Sequence, residues 1–196
     1  MTQAHIDARA EAILAAAQKL FGEQGIDRTT MQEIAAAAGI SAGAIYRYFP
    51  SKDALLEAVH TAARGEIAAS FAAAEQDFSA PLEALIACGQ EAIRDRGHGN
   101  ECALWLECIL AALRDPDSAS GEREVILTAV GAIESLLQRA RSAGDLAEGI
   151  DIRAAALLCY AAAMGLKMTV AIGIEPRRSE EALSILAGAL CARHTA

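Results

Sequence analysis

Alanine fills 47 of the 196 positions of this chain, and valine only four. Alanine is the best helix former because it loses no side-chain entropy on entering a helix. Strands favour β-branched and aromatic residues, and aromatics are only 4% here. Four prolines are too few to cut the chain into many short strands. With 54% hydrophobic residues, the chain has apolar surface enough for a core, which excludes global disorder. An all-α fold is therefore expected before any motif is read.

The formal net charge of −9 argues against a polybasic coat for nucleic acid or membrane, though not against a small local DNA-binding surface. The first sixty residues hold five Lys/Arg against seven acids, so most of the acidity lies downstream. Met1 to Asp7 carries no basic or apolar signal region, and a cytoplasmic location is expected. The five cysteines (Cys88, Cys102, Cys108, Cys159, Cys191) form no CxxC pair and alternate with no histidines. They read as reduced, small buried hydrophobes, and no metal site or cofactor is expected. Ala154 to Ile174 is almost wholly apolar and long enough to span a bilayer. Its alanines and glycines add little transfer energy and Lys167 interrupts it, so it reads as a buried core or dimer helix, with no membrane partner.

Punctuation residues predict about nine helices. Helix 1 spans about 8–23, with Ile13, Ala17, Leu20 and Phe21 on one face. Helix 2 starts at Thr30 with a capping box to Glu33 and stops at Gly39. Helix 3 runs from a Ser41 cap to about Phe49, before Pro50. Helix 4 follows Ser51 with Leu55, Leu56, Val59, Ala63, Ile67 and Phe71 inward, and helices 5–9 cover about 81–96, 101–114, 120–142, 151–172 and 179–193. The short first helices suggest a small head, residues 1–53, on a larger helical body, residues 54–196.

Helices 2 and 3, joined by Gly39-Ile40-Ser41, make a helix-turn-helix. Such a unit offers the start of its second helix to a DNA major groove about 12 Å wide. Ala42, Gly43 and Ala44 lie on that first turn, while Ile45 and Phe49 face the core. Because Ala42, Gly43 and Ala44 have no polar side-chain atoms, Ser41, Arg47 and Arg28 are the candidates for polar base contact. Specificity is then expected to rest partly on DNA shape.

The stretch from Thr29 to Leu56 resembles the DNA-binding domain of the TetR family of transcriptional regulators. The likeness rests on the Thr29-Thr30 pair, Ala38-Gly39-Ile40-Ser41, Gly43, Ile45-Tyr46-Arg47-Tyr48-Phe49 and Ser51-Lys52-Asp53 at that family's spacing. Ile13 to Ala17 and Leu20-Phe21 before Gly25 are similar as well. The resemblance implies backbone contacts to DNA by Thr29, Thr30, Tyr46, Tyr48 and the phosphate-binding Lys52. It also implies a homodimer on a pseudo-palindromic double-stranded operator, built from helices 8 and 9. Leu157, Tyr160, Ala161 and Met164 with Ala182, Leu183, Leu186, Ala189 and Leu190 are the interface residues expected there. A small-molecule effector of unknown class would bind in the body, and Phe71, Cys88, Glu91, Cys102, Trp105, Cys108 and Met164 are the candidate lining, with His98 or Glu101 as further polar anchors. The expected function is a sequence-specific repressor released from its operator by that effector. An enzyme is not expected: the four histidines lie far apart, and no HExxH, P-loop or GxGxxG pattern occurs. Thiol oxidation through Cys102 and Cys108 is a rival signal, although their spacing of six on one helix points them to different faces.

Overall fold

A computed structural model describes residues 3–94, 100–115, 119–174 and 176–191. Among these residues there are nine α-helices and no strand: α1 Gln3–Gln24, α2 Met31–Ala37, α3 Ala42–Ile45, α4 Lys52–Asp77, α5 Pro81–Ile93, α6 Asn100–Arg114, α7 Ser120–Ala143, α8 Ile152–Ala171 and α9 Pro176–Leu190. The expected His98 anchor lies outside the described residues.

The helices divide between two compact units. The first joins Met1–Ala63 to Gly97–Val125, and the second joins Arg64–Arg96 to Ile126–Ala196. The expected division after residue 53 is therefore not the division by packing. The reason lies in α6, whose Cys108, Leu104 and Ala111 share one core with the first three helices. In that core Ile13, Phe21, Ile34, Ile45 and Leu55 are all fully buried. Each such side chain contributes roughly 1.5–3 kcal/mol by leaving water.

Local chemistry sets the short helices. Thr30 caps α2: its hydroxyl accepts from Glu33 N–H at 3.2 Å, and its own N–H donates to the Glu33 carboxylate at 2.8 Å. At the other end Gly39 takes φ +67°, a conformation that side-chain-bearing residues rarely adopt. Its N–H bonds Ala36 O and that of Ile40 bonds Ala35 O, a Schellman closure that turns the chain into α3. α3 is shorter than expected. After Ile45 the chain tightens into turns with bonds from Arg47 N to Ala44 O and from Tyr48 N to Ile45 O. Ser41 makes no side-chain cap, contrary to expectation, whereas Ser51 does cap α4, accepting from Ala54 N–H at 3.0 Å.

The second unit is packed around Leu85 and Cys88 of α5, Val130, Ile133, Leu136 and Leu137 of α7, Ala155, Ala156 and Cys159 of α8, and Leu190 of α9. Ile93, Ala163 and Leu183 form a smaller cluster. Among the described residues, α8 is long and apolar enough to cross a membrane by length and composition. One face of it is core. The other exposes Leu157, Leu158, Met168 and, at 75% exposure, Ile172 just past its end.

Candidate nucleic-acid interface

The first unit sets the reading surface by burying Ile45 completely. With that anchor fixed, Ser41, Ala42, Gly43 and Arg47 are exposed, Tyr46 is 51% exposed, and Ala44 is half-buried. Tyr48 and Phe49 are half-buried and lean on the core. Nothing lies within 4 Å of where a Cβ on Gly43 would be. The first turn of α3 is thus a bare ridge, with backbone open to close approach and polar side chains only at its flanks.

Three expected phosphate ligands make bonds within the protein. Thr29 is buried, and its hydroxyl donates to Gly25 O at 2.7 Å, with Leu20 O at 3.3 Å. Its side chain ties the end of α1 to the following loop and has no surface left for DNA, which corrects the expectation of a phosphate contact. Thr30 is exposed, but its hydroxyl donates to Glu33 at 2.7 Å. Those bonds from Thr30 hold the Glu33 carboxyl below its ordinary range, so the α2 N-terminus already faces a carboxylate of its own. Lys52 is half-buried. Its ammonium donates to Ile26 O at 3.0 Å and reaches the carbonyls of Asp27 and Thr29 at 3.4 Å each. The charge is pinned beside the exposed Arg28, where it clamps the α1–α2 loop. The same loop is held by α6: Glu107 accepts from Ile26 N–H at 3.3 Å, and Arg114 reaches Asp27 at 3.5 Å.

Residues 13–59 match the model of the bacterial regulatory proteins of the tetR family, and residues 81–195 match that of the BetI-type transcriptional repressor C-terminal domain. The chain belongs to the TetR family. Along 95% of both chains it is 28% identical to the HTH-type transcriptional repressor Rv1474c of Mycobacterium tuberculosis. Its fold is similar to that of Salmonella enterica GusR (TM-score 0.77, 24% identity, 93% of this chain and 95% of that one). It is also similar to SmeT, the repressor of the Stenotrophomonas maltophilia multidrug efflux pump SmeDEF (TM-score 0.72, 25% identity, 94% and 91%). This TetR-family chain is a DNA-binding transcriptional regulator, not an enzyme. Regulators of this family bind DNA operators and act as dimers.

The expected effector residues of the TetR-family body do not form one cluster. Phe71 and Cys88 pack into the main core of the second unit, and Met164 into its smaller cluster. Glu91 is half-buried on α5, 3.8 Å from Arg94. Cys102, Trp105 and Cys108 stand on α6 in the first unit. All five cysteines are free thiols. Burial pushes the Cys88 thiol up to about 11 and Cys108 up to about 12, and it raises Cys159 as well. Protonated thiols are poor nucleophiles, which weakens the oxidation-sensor alternative for these three.

The expected dimer stripe needs a correction on α9. Leu183 and Leu190 are buried in their own chain, and Leu183 lies 3.0 Å from where a Cβ on Gly89 would be. Ala182 and Leu186 are half-buried. The apolar side chain left exposed on α9 is Ile185, at 74%, near exposed Ala189. Helix 9 is apolar on more than one face, and periodicity alone could not say which face its own core would take. On α8, Leu157 and Ala161 are exposed as expected, with Tyr160 and Met164 half-buried.

A second feature of the first unit escaped the sequence reading. His60 of α4, Cys108 of α6 and Glu122 in the first turn of α7 are all buried and converge. Burial raises the Glu122 carboxyl to about 7, with the Trp105 indole beside it pulling the other way. Two of the four buried polar side chains among the described residues lie here. Spacing could not reveal it, because each residue comes from a different helix.

Proposed function

We propose that the chain is a homodimeric, cytoplasmic repressor that holds a pseudo-palindromic operator and releases it on binding a small-molecule effector. The observation that carries this is the apolar face of α8. Leu157, Leu158, Met168 and Ile172 stand between 41% and 75% exposed along one helix and its end, and Ile185 of α9 stands at 74%. A folded chain gains by burying such a surface, and a second copy offers an identical, self-complementary one. One head presents few cations, with Arg28 and Arg47 exposed and Lys52 half-buried, so two heads on one duplex supply the affinity that one lacks. Bare Ala42 and Gly43 fit a groove by close approach, while Tyr46 and Arg47 grip its rim. The repressor names of Rv1474c and SmeT favour release over activation.

The test is selection of bound sequences from random DNA, followed by anisotropy and sedimentation on the selected duplex. Two protomers per duplex are expected, on half-sites about one helical turn apart. Binding by a single protomer to an asymmetric site overturns the reading.

A further inference from the structure

We propose that His60, Cys108 and Glu122 form a binding site for a divalent transition-metal ion, zinc above others, with a fourth coordination position left open. One nitrogen of His60, the sulfur of Cys108 and a carboxylate oxygen of Glu122 all lie within 4.8 Å of one another. His60 Nε2 is already 3.8 Å from a Glu122 oxygen. Bonds of about 2.0–2.3 Å in a tetrahedral zinc site place neighbouring ligand atoms roughly 3.3–3.8 Å apart. Closing the triad around an ion therefore requires a contraction of about 1.5 Å at most, within reach of side-chain rotation.

Three further observations point the same way. The second Glu122 oxygen is buried and makes no hydrogen bond of good geometry, with the Trp105 indole beside it as its nearby donor. A buried carboxylate oxygen in that state is costly, and a cation removes the cost. The backbone is also cut to fit the ring: a Cβ on Gly121 would fall 2.2 Å from His60 Nδ1, so only glycine lets the imidazole sit against the start of α7. On that same Nδ1 side, Glu57 places a carboxylate oxygen at 3.9 Å. A carboxylate there favours the tautomer with the proton on Nδ1 and the lone pair on Nε2, the arrangement found behind metal-bound histidines. The donor set of imidazole, thiolate and carboxylate selects a borderline-soft ion such as zinc or cobalt over magnesium or calcium.

The site has built-in reporters. Trp105 is the only tryptophan of the chain, and its buried indole nitrogen lies beside Glu122. The full-length protein, stripped with chelator and dialysed, is titrated with cobalt(II). We expect saturation at one ion per chain, a thiolate-to-cobalt charge-transfer band, tetrahedral visible bands and a change in Trp105 emission, all reversed by added zinc. Cys108→Ser removes the charge-transfer band, whereas Cys191→Ser keeps it. His60→Gln and Glu122→Gln each weaken binding by about tenfold or more. Zinc raises the melting temperature of the wild type and not that of Cys108→Ser. Circular dichroism confirms that each variant is folded. Absence of the band in the wild type, or its survival in Cys108→Ser, overturns the proposal, since a plain His–Glu ion pair gives the first result and a site elsewhere gives the second.

Discussion

The bare ridge of α3 and the outer face of α8 are both exposed and both built from residues without charge, yet they suit opposite partners. Ala42 and Gly43 expose almost nothing but backbone, framed by Tyr46, Arg47 and the pinned Lys52. Leu157, Leu158, Met168 and Ile172 expose long aliphatic side chains with no cation among them. The difference shows that bareness and apolarity are separate devices. A bare ridge gains affinity only from what flanks it, because a hydrated polyanion offers little to a methyl group beyond a thymine methyl. An aliphatic face gains affinity from its own area, and so suits a second copy of itself.

The largest effect that could break this contrast comes from charging α8. Leu157→Glu combined with Ile172→Glu is expected to give a folded monomer in sedimentation, with operator affinity down about a hundredfold or more. A dimer that persists would move the interface elsewhere. Next is Ile45→Ala, which removes the buried anchor of the ridge. It should cost about 2–5 kcal/mol in urea unfolding and abolish DNA binding while leaving self-association in place. A smaller and more selective effect is expected of Arg47→Ala. Its losses across a panel of operator variants should be unequal, about tenfold where guanine faces residue 47. Equal losses would make Arg47 a phosphate contact.

The gentlest test is alkaline pH, read in the second unit through Cys88. Its folded thiol holds a proton to about pH 11, against 9.0 for an unperturbed one, because burial disfavours the thiolate. The unfolded chain therefore loses that proton first. The stability it contributes is complete below pH 9 and is lost as pH climbs through 11. Urea midpoints should fall over that window, and Cys88→Ala should make the fall shallower without abolishing it, since the Cys108 and Cys159 thiols are raised as well.

How legible the two regions were in the sequence differs for a physical reason. The head is governed by local rules. The Thr30–Glu33 box, the Gly39 turn and the Ser51 cap all act within a few residues, and all three stand where the pattern put them. Where a local rule met a tertiary one, the tertiary one prevailed. The Thr29 hydroxyl, which the family resemblance put on DNA, turns inward to the Gly25 carbonyl. In the body, alanine-rich helices are apolar on several faces, so Leu183 and Leu190 could not be assigned to core or interface from spacing. The convergence of His60, Cys108 and Glu122 was invisible for the same reason. It depends on how three helices pack, and no short window contains it.

The hydrogen bond from Ile26 N–H to Glu107 is a joint rather than a relay. The Gly25 backbone also lies tight under that carboxylate: a Cβ there would sit 3.2 Å from a Glu107 oxygen. Any sliding of α6 along its axis must either drag the corner between the first two helices or snap this link. Mechanical news arriving at α6 therefore bears directly on the corner from which the helix-turn-helix starts.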